Sequence, residues 1–190
     1  MKRGSILLSL GLVAIFVTVL TALSQAQKPE HVSVPAAKAL PEDVSSMDAI
    51  TKATYETISG GVGVPRQWGR FFTLFDPNAR LLSPHSDPQT GAVVRIFNGS
   101  QQDFVDGANP VMVREGFTER ELGKTVKQFG NVATVLSSYE GKFASTGKVA
   151  ARGVNIFTLY NDGSRWWVLS IIWDEEKPGN PIPAELQPKS

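Results

Sequence analysis

The stretch from Gly153 to Asp174 constrains this chain more than any other. It reads as two long strands folded back on each other through Asn161-Asp162-Gly163-Ser164. In the first arm Gly153, Asn155, Phe157 and Leu159 share one side of a period-two pattern. In the second, Trp167, Leu169, Ile171 and Trp173 share a side, and Trp166, Val168, Ser170 and Ile172 take the other. Both faces are apolar, so the ribbon must be covered twice. It is predicted to lie inside a curved sheet, with helices on one face and a partner subunit on the other.

The chain has 190 residues, of which 42% are hydrophobic and 19% charged, enough for one domain with a true core. Met1-Lys2-Arg3, the uncharged run from Gly4 to Leu23 and Ser24-Gln25-Ala26 have the form of a secretory leader cleaved after Ala26. The alternative is an uncleaved membrane anchor, the only membrane contact expected. Either way the domain is expected to be exported, periplasmic or secreted. Without Lys2 and Arg3, 17 basic residues face 18 acidic ones, and no basic surface for nucleic acid is expected. The absence of cysteine removes disulfides, thiolate metal sites and a cysteine nucleophile, and fits a bacterial envelope. Residues 27–43 read as a flexible tether, 44–177 as the domain, and 178–190 as an extended proline-rich tail.

Along the domain, Asp43 or Ser45 can cap a first helix with Met47, Ile50, Thr54 and Ile58 on its apolar face and Tyr55 at the edge. Pro65 opens a second, striped by Trp68, Phe71, Phe72 and Phe75 and stopped by Asp76-Pro77-Asn78. Ala79 to Ser83 and Ala92 to Phe97 read as strands around a loop. Ser100 with Asp103 starts a third helix, which Pro110 should end or kink. Phe117 to Gln128 and Val132 to Phe143 read as a hairpin ahead of the ribbon. Helix, helix, strand, strand, helix and four strands, without a parallel crossover pattern, define an α+β protein with a mostly antiparallel sheet.

The order of elements, with Tyr55-Glu56-Thr57-Ile58-Ser59-Gly60, Trp68 to Arg80 and Gly153 to Glu175, resembles the nuclear-transport-factor-2-like superfamily, which includes ketosteroid isomerase and SnoaL-like cyclases. The resemblance spans about Val44 to Lys177. It implies a cone-shaped, strongly curved sheet with three helices packed on its concave face and a pocket between them. Trp68, Phe72, Leu82, Ser83, Phe104, Met112, Phe157, Leu169, Ile171 and Trp173 are expected to line that pocket, together with Tyr55 and Asn155. Matched to ketosteroid isomerase, Tyr55 takes the place of the oxyanion-binding tyrosine and Asn155 that of its protonated aspartic acid, while Ser83 stands where the proton-moving aspartate would be. A serine without a base moves no proton at neutral pH, and His85, the only histidine in the domain, is the substitute base or else a turn residue.

Glu119 and Glu121 share a strand face. With Arg114, Arg120, Lys124 and Lys127 close in sequence, they read as cross-strand ion pairs on a wet or partner-facing surface. Arg66 and Arg70 read as a solvated helix face. No spacing of histidines and carboxylates fits a metal, and no cofactor is expected. Two functions follow: an exported domain that binds a small apolar or amphipathic molecule, as an isomerase, cyclase or hydratase would, or a non-catalytic module that dimerises or docks through an outer sheet face carrying Trp166, Val168, Ile172 and Tyr160.

Overall fold

The computed structural model describes residues 29–87 and 89–188, so the expected leader, residues 1–26, lies outside the described residues. The helices are α1 (Pro41–Val44), α2 (Met47–Ile58), α3 (Trp68–Phe72) and α4 (Gln101–Glu115). The strands are β1 (Phe75–Ser86), β2 (Val93–Gly99), β3 (Phe117–Phe129), β4 (Val132–Phe143), β5 (Val149–Asn161) and β6 (Trp166–Glu175). One sheet runs in the order β2-β1-β6-β5-β4-β3. Its pairs are antiparallel except β1 with β6, a parallel pairing that the sequence pattern did not announce.

Local chemistry explains most boundaries. Ser46, not Asp43 or Ser45, caps α2 by accepting the Ala49 amide at 3.0 Å. Asp43 is buried instead in a charge cluster: Arg70 Nε and Nη2 meet its two carboxylate oxygens at 2.7 and 2.6 Å, and Nη2 also reaches Glu56. This ties α1, α2 and α3 together. The aromatic stripe expected of one long helix is split, because α3 stops at Phe72 and Phe75 opens β1. Phe71, Phe75 and Trp68 still pack as a unit, with Phe71 and Phe75 centroids 4.5 Å apart. Ser100 and Asp103 form a full capping box on α4, and that helix runs through Pro110 without ending.

The sheet bends around the helices at bulges. In β6 the register moves from Thr158↔Ser170 to Leu159↔Val168, which leaves Leu169 as the extra residue. The single alternation expected for the second arm therefore breaks. Trp166 and Val168 turn inward beside Leu159, Ile171 and Trp173 turn inward beyond the bulge, and Leu169 is 42% exposed. A second bulge in β3 leaves Leu122 unpaired between Glu121 and Gly123.

The described parts of the two flanking segments are packed more closely than expected. In the segment read as a tether, the Val32 amide donates to Asp106 at 2.8 Å, and Val32 and Val34 lie against the core. In the tail, Ile182 and Leu186 are buried, and Ser138 donates to the Leu186 carbonyl on the outer side of β4.

Candidate active site

The concave face and the helices enclose a cavity of about 180 Å³. Its walls come from α2 (Thr54, Tyr55, Ile58), Phe71 and Leu81, Phe104 and Met112 of α4, Phe117 and Glu119 of β3, and Tyr139 of β4. Ala151, Asn155 and Phe157 of β5 and Ile171, Trp173 and Glu175 of β6 complete them.

The register explains how the polar wall is assembled. Ser137 pairs with Asn155 and Tyr139 with Gly153, while across β6 Asn155 pairs with Trp173 and Gly153 with Glu175. Gly153 is needed here, because a Cβ at that position would run into the Asp174 carbonyl oxygen and stand 2.9 Å from the Tyr139 hydroxyl. Paired bonds between Gly60 and Phe117, and a 2.9 Å bond from the Glu119 amide to Ser59 Oγ, fasten the end of α2 to the start of β3. Ser59 in turn donates to the Tyr55 carbonyl, so Glu119 is set across from Tyr55.

The hydrogen bonds have one polarity. Ser137 Oγ donates to the Glu121 carboxylate at 2.7 Å, which leaves it to accept from the Tyr55 hydroxyl at 2.7 Å. The Tyr55 oxygen then accepts Asn155 Nδ2 at 3.1 Å, and the same nitrogen lies 3.5 Å from Glu119 Oε1, a long contact. Outward, Glu121 meets Lys124, which also meets Asp48 at 2.8 Å. Tyr55 thus spends its hydrogen on Ser137, away from the cavity.

Glu119 is half-buried as a residue, yet its carboxyl is sunk among Tyr55, Tyr139 and Asn155. It has no ion pair among the described residues. Loss of water pushes its pKa up to about 8, and the weak Asn155 contact offsets little of this. Burial, and then the charge of Glu119, push the Tyr55 and Tyr139 hydroxyls well above their ordinary range. Tyr139 is 3% exposed and makes no side-chain hydrogen bond among the described residues, though its hydroxyl is not one of the buried, unpartnered polar atoms, which are Arg66 Nε and Arg152 Nε. The chamber therefore holds a carboxyl that titrates near neutrality, with two neutral phenols beside it.

Of the residues expected to line a pocket, Tyr55, Phe104, Met112, Asn155, Phe157, Ile171 and Trp173 meet around this cavity. Trp68 lies behind it, edge-on to Phe71 and Phe104, with its indole N–H donating to Asn109 at 2.7 Å. Phe72 faces a surface hollow beside Val34 and Pro35. Leu82 points to the outer face, since the inward phase of β1 falls on Leu81 and Ser83. Ser83 is buried opposite Phe97, outside the cavity lining. Leu169 is displaced by the bulge. His85 lies in a separate depression with Asp87, Asp174, Glu175 and Lys177, and only Glu175 is shared with the cavity.

Glu119, read from sequence as a surface ion pair, is the residue that reading missed. The neighbouring cations are engaged elsewhere, Arg114 with Glu115 and Arg120 with Glu140. The available signal was the phase shared by Phe117 and Glu119, one apolar and the other acidic on an inward strand face. Arg66 and Arg70 are not a solvated face. The first is buried against the carbonyls of Gly61, Val64 and Phe117, and the second is clamped by Asp43 and Glu56.

No protein-family model matches the chain, and no curated protein matches it in sequence. Solved structures do share its fold. A protein of unknown function with a cystatin-like fold from Nostoc punctiforme PCC 73102 superposes with a TM-score of 0.51 at 9% identity, over 68% of this chain and 88% of that one. A protein of unknown function from Mycobacterium tuberculosis gives 0.52 at 14%, over 73% and 80%. A nuclear-transport-factor-2-like protein of unknown function from Methylobacillus flagellatus KT gives 0.46 at 16%, over 69% and 94%. The chain has an α+β, cystatin-like fold. At these identities the likeness is one of fold alone.

Proposed function

We propose that this protein binds a small, largely apolar molecule in the concave cavity and transfers a proton to or from it through Glu119. The observation that carries the proposal is the Glu119 carboxyl set in the wall of an apolar chamber beside Tyr55, Tyr139 and Asn155, without an ion pair among the described residues, where burial raises its pKa and brings acid and base forms within reach. This is the equipment an isomerase, cyclase or hydratase needs at a carbon beside a polar group. Asn155 positions Glu119, and Tyr55 positions Asn155. A cavity of about 150 Å³ accepts benzene, so one of about 180 Å³ suits a single ring or short chain and is too small for a steroid. His85 has no part in this chemistry.

The test has two stages. Fragments of one ring are screened by chemical-shift perturbation, with Trp173 and Met112 as reporters. The best binder is then incubated in deuterium oxide. Binding followed by deuterium incorporation in the wild type, but not in Glu119→Gln, is expected. Incorporation that survives in Glu119→Gln would remove the proton-transfer assignment.

A second reading rests on the outer face, where Leu82, Ile172, Ile156 and Leu136 form one row across four strands, with Ile156 and Ile172 exposed. This row replaces the face expected from sequence, since Trp166 and Val168 turn inward and Tyr160 bonds Asp76 at 2.6 Å. It fits a homodimer of the exported domain. Sedimentation that stays monomeric at high concentration would sink this reading without touching the first.

A further inference from the structure

Taking the cavity as a ligand site, the geometry points to a small organic amine, bound as its ammonium with Glu119 as counter-ion, as the molecule it takes. Among the described residues, the charged residues of the wall are both acidic, Glu119 deep inside and Glu175 at the exposed end, and no lysine, arginine or histidine lines it. The nearby cations are committed to other partners: Lys177 to Asp174, Arg152 to Glu176, and Lys124 to Asp48 and Glu121. An anionic ligand would meet carboxylates without a counter-charge.

Hydrogen-bond polarity gives the same sign. Tyr55 donates to Ser137, and the Asn155 amide nitrogen is turned to Tyr55 and Glu119. What remains for a ligand is the Glu119 carboxyl, an acceptor once ionised, and the Tyr139 hydroxyl. Tyr139, a residue 3% exposed on the same wall, makes no side-chain hydrogen bond among the described residues, so its hydroxyl is available to a ligand. The rings of Tyr55, Phe104, Tyr139 and Trp173 line the space, and a cation seated over the face of such a ring is attracted to it.

Binding has a proton balance. The ligand enters as R–NH3⁺, the Glu119 carboxyl loses its proton to solvent, and the ammonium pairs with the carboxylate left behind. Glu119 shares the cavity wall with Tyr55 from α2, Tyr139 from β4, Asn155 from β5 and Glu175 from β6, while Glu121 on its own strand acts on Tyr55, and Asp174 from β6 on Tyr139. Both tyrosines are held neutral far above this range, so the released proton comes from Glu119. With that carboxyl at about 8, about 0.9 proton leaves per ligand at pH 7.

Benzylamine, benzyl alcohol and benzoate serve as probes of matched size. Calorimetric titration of the whole exported domain at pH 7, in two buffers of different ionisation enthalpy, reads both affinity and proton release. Benzylamine is expected to bind at least tenfold more tightly than benzyl alcohol, with release of about 0.9 proton, and benzoate is expected not to bind. Glu119→Gln should abolish the release and weaken benzylamine tenfold or more. Glu185→Gln, an exposed residue outside the cavity, should leave the release intact. Benzyl alcohol binding as tightly as benzylamine, or benzylamine binding without proton release, would overturn the amine assignment while the ligand site stands. Failure of all three probes at millimolar concentration, together with an empty fragment screen, would overturn both.

Discussion

Replacing Glu119 by glutamine tests the centre of the site without any ligand. The folded carboxyl titrates at about 8 against an ordinary 4.5, so the folded state holds more protons than the unfolded chain between those two values. Stability is therefore greatest below the window and falls as pH rises through it. Each pH unit of displacement is worth about 1.4 kcal/mol, which integrates to a loss of about 3 to 4 kcal/mol between pH 5 and pH 8. The other shifted groups act outside this window. Tyr55 and Tyr139 are moved further above their ordinary 10, while Glu56, Asp76, Asp103 and Asp162 are held below their ordinary carboxylate values by hydrogen bonds. Urea unfolding of wild type and Glu119→Gln at pH 5, 6, 7 and 8 checks the expectation. The wild type should lose stability steadily, and the variant, isosteric and uncharged, should stay nearly flat and be the more stable protein at pH 8. Parallel lines for the two proteins would show that Glu119 is solvated, and the site as described would not exist.

Two further substitutions test the frame that holds the site. Arg70→Met should cost about 3 to 5 kcal/mol in urea unfolding, because Asp43 stays buried without its counter-charge; Asp43→Asn in the same chain should recover most of the loss. Gly116→Ala should cost about 3 kcal/mol or more by thermal unfolding, since its φ is 63° and a Cβ there would stand 2.5 Å from the Val62 nitrogen, whereas Gly130→Ala, at φ 55° in open space, should cost about 1 kcal/mol.

The sequence carried the helices and strands almost in full because their signals are local. Ser100-Asp103 marks the start of α4, and Asn161 to Ser164 marks the turn of the ribbon. The errors lie where local contrast is missing. From Trp166 to Trp173 both strand faces are apolar, so the identities contain nothing that would place an extra residue at Leu169. Only the pairing with Thr158 and Leu159 reveals it. Ile182 and Leu186 were assigned to a free tail because a few apolar residues among prolines have no period, and their burial depends on a bulge in β3 some 60 residues earlier. Glu119 was misread for the opposite reason. Arg120 and Lys124 make a plausible ion-pair pattern in one dimension, but the pleat turns Arg120 away and the β3 bulge gives Lys124 to Glu121.

The same pleat decides which of the polar residues can do chemistry. Tyr55 and Asn155 were chosen from sequence as donors to an oxyanion, and both stand at the cavity. What sequence could not supply is the direction of their hydrogens, which is imposed by Glu121 through Ser137. With that acceptor in place, the Tyr55 oxygen is a receiver towards Asn155, and Glu119 is left with one long contact that offsets little of the burial that keeps its carboxyl protonated. Ser137→Ala removes the acceptor and frees the Tyr55 hydrogen to turn inward. A donor directed at the ionised carboxylate favours that form, so the Glu119 carboxyl should titrate below about 8 in this variant, moving towards its ordinary 4.5. Carbon-13 titration of the Glu119 side chain reads this directly. An unchanged midpoint would mean that Tyr55 does not control Glu119, and the positioning role assigned to the tyrosine would pass to Asn155 alone.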